Sequence, residues 1–176
     1  TNAYLIPETQ GVAVLDDLVA AGAEVTIHTN SLSSHDVPAV NSHYKVWRKP
    51  ILESGVSLFE ARYDASIKTS IVDTKPISAR YMGLHSKSLV MDRRFAVIGS
   101  ANLDPRSAFL SSEMIAIIDS KSLAEELAQA ILLDTSAANS WEVSLNEKNK
   151  IIWSNDVESV SRQPVRNGWQ RFQDLF

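Results

Sequence analysis

Cysteine is absent from the 176-residue chain, which excludes disulfides and thiolate metal sites and leaves the redox compartment open. Histidine is scarce, with four residues, and no carboxylate sits at a spacing that would complete a metal site with them. His28, His35 and His43 are expected at the surface or in loops. No apolar run approaches the ~18–20 residues that a membrane-spanning helix needs. No signal-peptide pattern opens the chain, which reaches strand-like sequence within a few residues of Thr1-Asn2-Ala3. A formal charge of −4 gives no electrostatic case for wrapping nucleic acid, although a local basic site is allowed. Starting on Thr rather than Met, the sequence reads as a piece or a processed form of a longer chain. Its length suits one domain with a sizeable core.

What is present is an alternation of strands and helices. Ala3 to Ile6 reads as a short buried strand stopped by Pro7. Val12, Leu15, Leu18 and Val19 recur at helical spacing, and Gly22 is a natural stop. Glu24 to Thr29 is strand-like, so the three segments form a βαβ unit with parallel pairing and a right-handed crossover. The polar loop Asn30 to Pro38 stands at a strand's carboxyl end, where open α/β sheets place ligands. Its Ser and Asp residues suit a helix cap equally well. A helix follows Pro38 to about Glu53, kinked or cut short by Pro50. Val56 to Glu60 is a further strand. Residues 61–83 show little periodicity beyond a short strand at Ser70-Ile71-Val72, and read as a flap with Arg80 as a solvated loop residue. Glu113 to Ile118 is an apolar run that suits a central strand covered on both faces. Ser120 or Ser122 caps a helix to about Leu133. Trp141–Leu145 and Ile151–Trp153 flank a hairpin turn. Trp169, Phe172 and Phe176 share one face of a terminal helix, which suits contact with a membrane interface or, more simply, packing on the domain or an element cut short.

The chemistry concentrates between residues 84 and 113. Leu84 to Met91 suits a strand, on which His85 and Lys87 project the same way, about 6–7 Å apart. Asp92-Arg93-Arg94 is a turn, and Phe95 to Ile98 returns as the second arm of a hairpin. Gly99 ends that arm, and Ser100 and Asn102 then supply hydrogen-bonding groups at the end where His85 stands. An imidazole, an ammonium, a hydroxyl and an amide together make a receptor for a phosphodiester.

His85-x-Lys87-x4-Asp92, followed by Gly99-Ser100-x-Asn102, resembles the HKD motif of the phospholipase D superfamily. Gly99-Ser100-Ala101-Asn102-Leu103-Asp104-Pro105-Arg106-Ser107, together with Thr29-Asn30-Ser31-Leu32 and Asp36-Val37-Pro38-Ala39-Val40, resembles its bacterial cardiolipin synthase branch. The likeness runs from Tyr4 to about Ile118. Where the family carries Asn-Thr before its glutamate, this chain has Ser111-Ser112. The resemblance implies an α/β fold in which a mixed sheet lies between helices, three layers deep. It implies His85 as nucleophile through a phosphohistidine, and Lys87, Ser100 and Asn102 around the phosphate. Glu113 would hold the second ring nitrogen of His85. Asp92 and Gly99 have structural places in the motif, Asp92 as a turn and salt-link residue. No cofactor and no metal are implied.

The superfamily needs two copies of the motif. His43-Tyr44-Lys45 repeats only its first letters, with Pro50 where Asp should stand. Residues 1–176 are therefore expected to form a single domain, the second, C-terminal half of a two-domain protein. Its partner is an N-terminal motif-bearing half or a second chain related by a twofold axis. The implied activity is phosphatidyl transfer between phospholipids, with a phosphatidylglycerol-like substrate. The full-length protein would be peripheral to the bacterial membrane and this piece soluble, with nucleic acid not expected as a partner. Alternatives are a homodimeric metal-independent phosphodiesterase or nuclease, and an inactive phosphate-binding module.

Overall fold

A computed structural model describes residues 1–173 of the chain. The periodic apolar positions after Pro7 form α1 (Glu8–Ala20), and the chain leaves it through Gly22 at φ 90°, a conformation glycine adopts without a Cβ clash. β1 (Thr26–Asn30) then pairs parallel with β2 (Ser57–Ala61), in register from Thr26 opposite Ser57 to Asn30 opposite Ala61. Their crossover holds two helices rather than one, α2 (Pro38–Tyr44) and α3 (Arg48–Glu53). Pro50, which lacks an N–H and clashes one turn back, tolerates only the first turn of a helix, and α3 begins two residues before it. The short strand expected at Ser70 to Val72 is instead the single turn α4 (Lys68–Ile71).

β3 (Ser88–Met91), β4 (Phe95–Gly99) and, after the short α5 (Pro105–Phe109), β5 (Ile115–Asp119) form an antiparallel sheet in that order. α6 (Lys121–Asp134) packs on β3 and β4, its first turn capped by the Ser120 hydroxyl, which accepts from Leu123 N. β6 (Ser140–Leu145), β7 (Ile151–Ser154) and β8 (Ser159–Val160) extend the first sheet in the order β1-β2-β6-β7-β8, antiparallel throughout except for β1 with β2. A short α7 (Gly168–Gln173) follows. The α/β class with mixed pairing and flanking helices is as expected.

The division into two sheets is not. Ala3 to Ile6, expected as the first strand of a βαβ unit, belongs to a segment, residues 1–6, that makes only isolated bridges, Asn2 with Lys87 and Leu5 with Leu103. Asn2 N donates to His28 O at 2.9 Å, while Ser88 N donates to Thr1 O at 3.0 Å. The segment thus lies between β1 and β3 and stitches the two sheets edge to edge. The parallel crossover belongs to β1 and β2.

The core of the larger sheet gathers Leu5, Ile51, Val56, Leu58, Trp141, Val143 and Trp153. Charge is buried within it. The Glu60 carboxylate accepts from Tyr44 Oη at 2.8 Å, Arg48 Nε at 2.5 Å and Trp153 Nε1 at 2.8 Å, so the buried anion is paired and hydrogen-bonded on both oxygens. Two histidines expected at the surface are also interior. His28, on β1, is 3% exposed with Nε2 3.0 Å from Ser140 Oγ of β6 in the same sheet, and His35 is 2% exposed. Of the three histidines expected at the surface or in loops, His43 alone is exposed.

β5, expected as a central strand covered on both faces, is instead the edge of the smaller sheet, with Ile115 and Ile117 at 55% and 70% exposure. The register places them on one face with Leu89 and Met91, which are exposed too, while α6 covers the opposite face over the buried Ala96. Trp169 and Phe172 stack on each other but stay exposed rather than packing into the domain, and Phe176 lies outside the described residues.

Candidate active site

Asn30, the last residue of β1, is buried, and its side chain behaves like a strand neighbour to the motif. Nδ2 donates to Leu84 O at 2.8 Å and to Ala3 O at 3.1 Å, while Oδ1 accepts from Leu84 N at 2.9 Å. Ser34 Oγ adds a bond to the same Oδ1 at 2.9 Å. One carboxamide thus fixes both backbone groups of the residue before His85. Sequence reasoning offers this loop only a choice between substrate contact and capping. Its actual work is to place the motif backbone, and no side-chain pattern in one sequence announces such a bond.

The strand expected from Leu84 begins at Ser88, with Lys87 in its bridge to Asn2, so His85 stands on extended chain just outside the sheet. His85 is exposed and Lys87 half-buried. Both approach the ring of Tyr4. The His85 imidazole meets it edge-on at 6.1 Å, and Lys87 Nζ lies 5.7 Å from its centre while donating to His85 O at 2.8 Å. Burial lowers the pKa of the Lys87 ammonium, and the nearby Asp36, Glu113 and Asp104 carboxylates oppose that shift. Tyr4 stacks on His35 at 5.5 Å and donates its hydroxyl to both Asp36 oxygens, at 3.1 and 3.2 Å. Tyr4, His35 and Asp36 carry no functional assignment from sequence beyond the loop they border.

The second half of the motif joins the first through the backbone. Gly99 N donates to Lys87 O at 3.1 Å, and Asn2 Oδ1 accepts from Leu103 N at 3.0 Å. At Gly99 a Cβ would stand 2.4 Å from Met114 O and 3.0 Å from Ile115 Cα, so only glycine lets β4 and β5 close at this end. Ser100 Oγ donates to Glu113 Oε2 and accepts from Met114 N at 3.0 Å, which ties the end of β4 to the start of β5. Ser107 Oγ donates to Glu113 Oε1 at 2.8 Å and accepts from Asn102 N at 3.0 Å. Asp104 caps α5 by accepting from Ser107 N at 2.7 Å. The two serine hydroxyls hold the Glu113 carboxyl below its ordinary pKa, helped by Lys87.

Not every expected contact is made. Glu113 spends both oxygens on Ser100 and Ser107, and no hydrogen bond joins it to His85 among the described residues. The Ser100 hydrogen is likewise committed to Glu113. Among the described residues, Asn102 Oδ1 is buried without a hydrogen-bond partner. Asp92 occupies the β3–β4 turn at φ 52°, as expected of a turn residue, but the ion pairs there belong to Arg93 with Glu125 and Arg94 with Asp119 rather than to Asp92. Arg80 is exposed in its loop. No group of three or more His, Asp or Glu that would hold a metal ion occurs among the described residues.

The fold, two sheets flanked by helices, is similar to that in a crystal structure of a phospholipase D family member, Nuc, from Salmonella typhimurium. The two superpose with a TM-score of 0.54 at 19% identity, over 78% of this chain and 76% of that one. Residues 1–134 match the family model described as "Cardiolipin synthase, PLD-like domain", and the chain belongs to that family, within the phospholipase D superfamily. It is 30% identical over 174 residues to cardiolipin synthase C of Escherichia coli (strain K12), covering 97% of this chain and 37% of that protein. To cardiolipin synthase A of Buchnera aphidicola subsp. Baizongia pistaciae it is 29% identical over 128 residues, covering 73% and 22%. The chain thus spans between about a fifth and two fifths of the length of these curated relatives. No helix among the described residues is long and apolar enough to cross a membrane.

Proposed function

We propose that this chain supplies one motif-bearing half of a phosphatidyltransferase of the cardiolipin synthase type. The observation that carries the proposal is the meeting of an exposed imidazole, His85, and an ammonium, Lys87, around the single Tyr4 ring at the junction of the two sheets. A neutral imidazole is a competent nucleophile near neutral pH. A His85 ring nitrogen attacks phosphorus, the bond from phosphorus to the leaving glyceryl oxygen breaks, and the product is a phosphohistidine. The acceptor hydroxyl then attacks phosphorus and displaces the imidazole, its proton passing to the second motif's histidine, which has already given its own to the leaving oxygen. Lys87 stabilises the charge that builds on the non-bridging oxygens. Asn102 turns its amide to the same oxygens, O and N being interchangeable by a flip of the side chain. Ser100 acts through Glu113, whose carboxylate it and Ser107 hold at the rim for the cation that forms on His85.

The proton for the leaving oxygen comes from the histidine of a second motif, carried by another domain of the same protein or by a second chain. The exposed apolar face formed by Leu89, Met91, Ile115 and Ile117, on the sheet that carries Gly99 and Lys87, supports docking of such a half beside the site. The substrates are membrane phospholipids with a phosphatidylglycerol-like headgroup, and the full-length protein works at the membrane surface.

The test is His85→Ala in the full-length protein, with labelled phosphatidylglycerol in vesicles. Loss of diphosphatidyl product is expected, and unchanged output overturns the proposal. The chain of residues 1–176 alone is expected to transfer little, because it has one motif. Robust turnover by a monomer confirmed by sedimentation contradicts the requirement for a second half.

A further inference from the structure

The transfer chemistry above leaves Tyr4, His35 and Asp36, three side chains grouped beside His85, without a chemical role. They form one assembly. The Tyr4 ring stacks on His35 with an interplanar angle of 14°, touches His85 with its edge and lies under Lys87 Nζ. Its hydroxyl donates to the Asp36 carboxylate, and His35 Nδ1 stands 3.5 Å from Asp36 Oδ1. Burial lowers the pKa of His35, so the imidazole is neutral near pH 7 and leaves the Asp36 charge uncancelled. Asp36 is 48% exposed, and Lys87 makes no ion pair with it among the described residues.

Helix capping does not account for Asp36. α2 starts from Val37 and has no side-chain cap hydrogen bond. Phosphate binding does not account for it either, because a carboxylate repels a phosphodiester anion. A transferase, however, has two substrates of opposite demand. The donor phosphodiester needs cations and N–H groups, which Lys87 and Asn102 supply. The acceptor brings neutral hydroxyls, which need hydrogen-bond acceptors. A carboxylate offers about four lone-pair positions, and the Tyr4 hydroxyl leaves most of them open. Of the other two carboxylates near Lys87, Glu113 has both oxygens occupied by serine hydroxyls and Asp104 is engaged in capping α5 through Ser107 N.

We infer that Asp36, presented by Tyr4, is the acceptor subsite, taking hydrogen bonds from the hydroxyls of a polyol headgroup of the glycerol class and so favouring transfer to a polyol over transfer to a simple alcohol. The inference rests on the transferase function proposed above. Its tertiary basis is the juxtaposition of the segment before α1 with the loop after β1, which brings an acceptor-rich wall within one aromatic ring of the nucleophile.

The experiment uses the full-length protein with phosphatidylglycerol vesicles and an equimolar mixture of deuterated glycerol and ethanol, reading deuterated phosphatidylglycerol, phosphatidylethanol and phosphatidate by mass spectrometry. The ratio of the two alcohol products within one sample is independent of the fraction of protein folded. Asp36→Asn, which exchanges a charged acceptor for a neutral amide, is expected to lower the glycerol-to-ethanol ratio about tenfold, the effect of losing a hydrogen bond to a charged group. Tyr4→Phe keeps the ring and is expected to shift the ratio the same way by less. A ratio within twofold of wild type in Asp36→Asn, or an equal loss of both alcohol products, overturns the acceptor subsite while the transferase function stands. Absence of every product from the wild-type protein overturns both.

Discussion

Replacing Asn30 by Ala is expected to destabilise the domain by about 3 kcal/mol. The side chain is 1% exposed and serves four groups: the Leu84 N–H, the Leu84 carbonyl, the Ala3 carbonyl and the Ser34 hydroxyl. Deleting it strands these groups where water enters poorly. A net hydrogen bond is worth about 0.5–1.5 kcal/mol, and an unsatisfied buried group costs about 1–3 kcal/mol. Ser34 Oγ keeps its other partners, donating at 3.3 Å to Ser31 O and accepting from Ser31 N at 3.0 Å, so the Ser34 contribution drops out of the sum. Three remaining groups at about 1 kcal/mol each give the figure, a large share of a typical 5–15 kcal/mol. Asn30→Asp is expected to be worse at neutral pH, because it turns a donor into an anion facing the Ala3 and Leu84 carbonyls. That repulsion raises the carboxyl pKa in the folded state, so the deficit is fullest above the raised value and shrinks as pH falls through it. Urea denaturation followed by tryptophan fluorescence measures both variants, and the Asn30→Asp titration is repeated at pH 7 and pH 5. A loss below about 0.5 kcal/mol for Asn30→Ala would refute the claim that this amide places the motif backbone.

Glu60→Gln is expected to cost about 3–5 kcal/mol in the same assay, since it leaves the buried Arg48 guanidinium without its counter-charge; a neutral outcome would show that the pair contributes nothing net. Stability is expected to fall on acidification through His28, whose pKa burial pushes down to about 3 from 6.5. The unfolded chain binds the proton first, so the contribution is whole above about pH 6.5 and declines toward pH 3 at up to about 1.4 kcal/mol per pH unit. His28→Gln should flatten that part of the stability profile, and an unchanged slope would assign the acid sensitivity elsewhere.

The amino-acid sequence alone determined the parts that depend on local pattern. Apolar periodicity set α1 and α6, turn chemistry set the β3–β4 and β6–β7 hairpins, and Pro50 limited α3. The spacing of His85, Lys87, Gly99, Ser100 and Asn102, and the resemblance that adds Glu113, marked the candidate site, because a motif written in short intervals along one chain is legible without the fold. Tertiary structure alone decided what depends on contacts between distant segments. The apolar run at Ile115 to Ile118 looks the same in sequence whether a strand is central or at an edge, and only its neighbours make it an exposed edge. Residues 1–6 carry the composition of a strand, yet two neighbouring edges divide their backbone bonds between them. The burial of His28 and His35, the Asn30 clamp on Leu84 and the Tyr4–Asp36 wall beside His85 all join residues far apart in the chain. Such pairings have no period for a sequence to display, because they are fixed by how the sheets meet rather than by what each segment prefers.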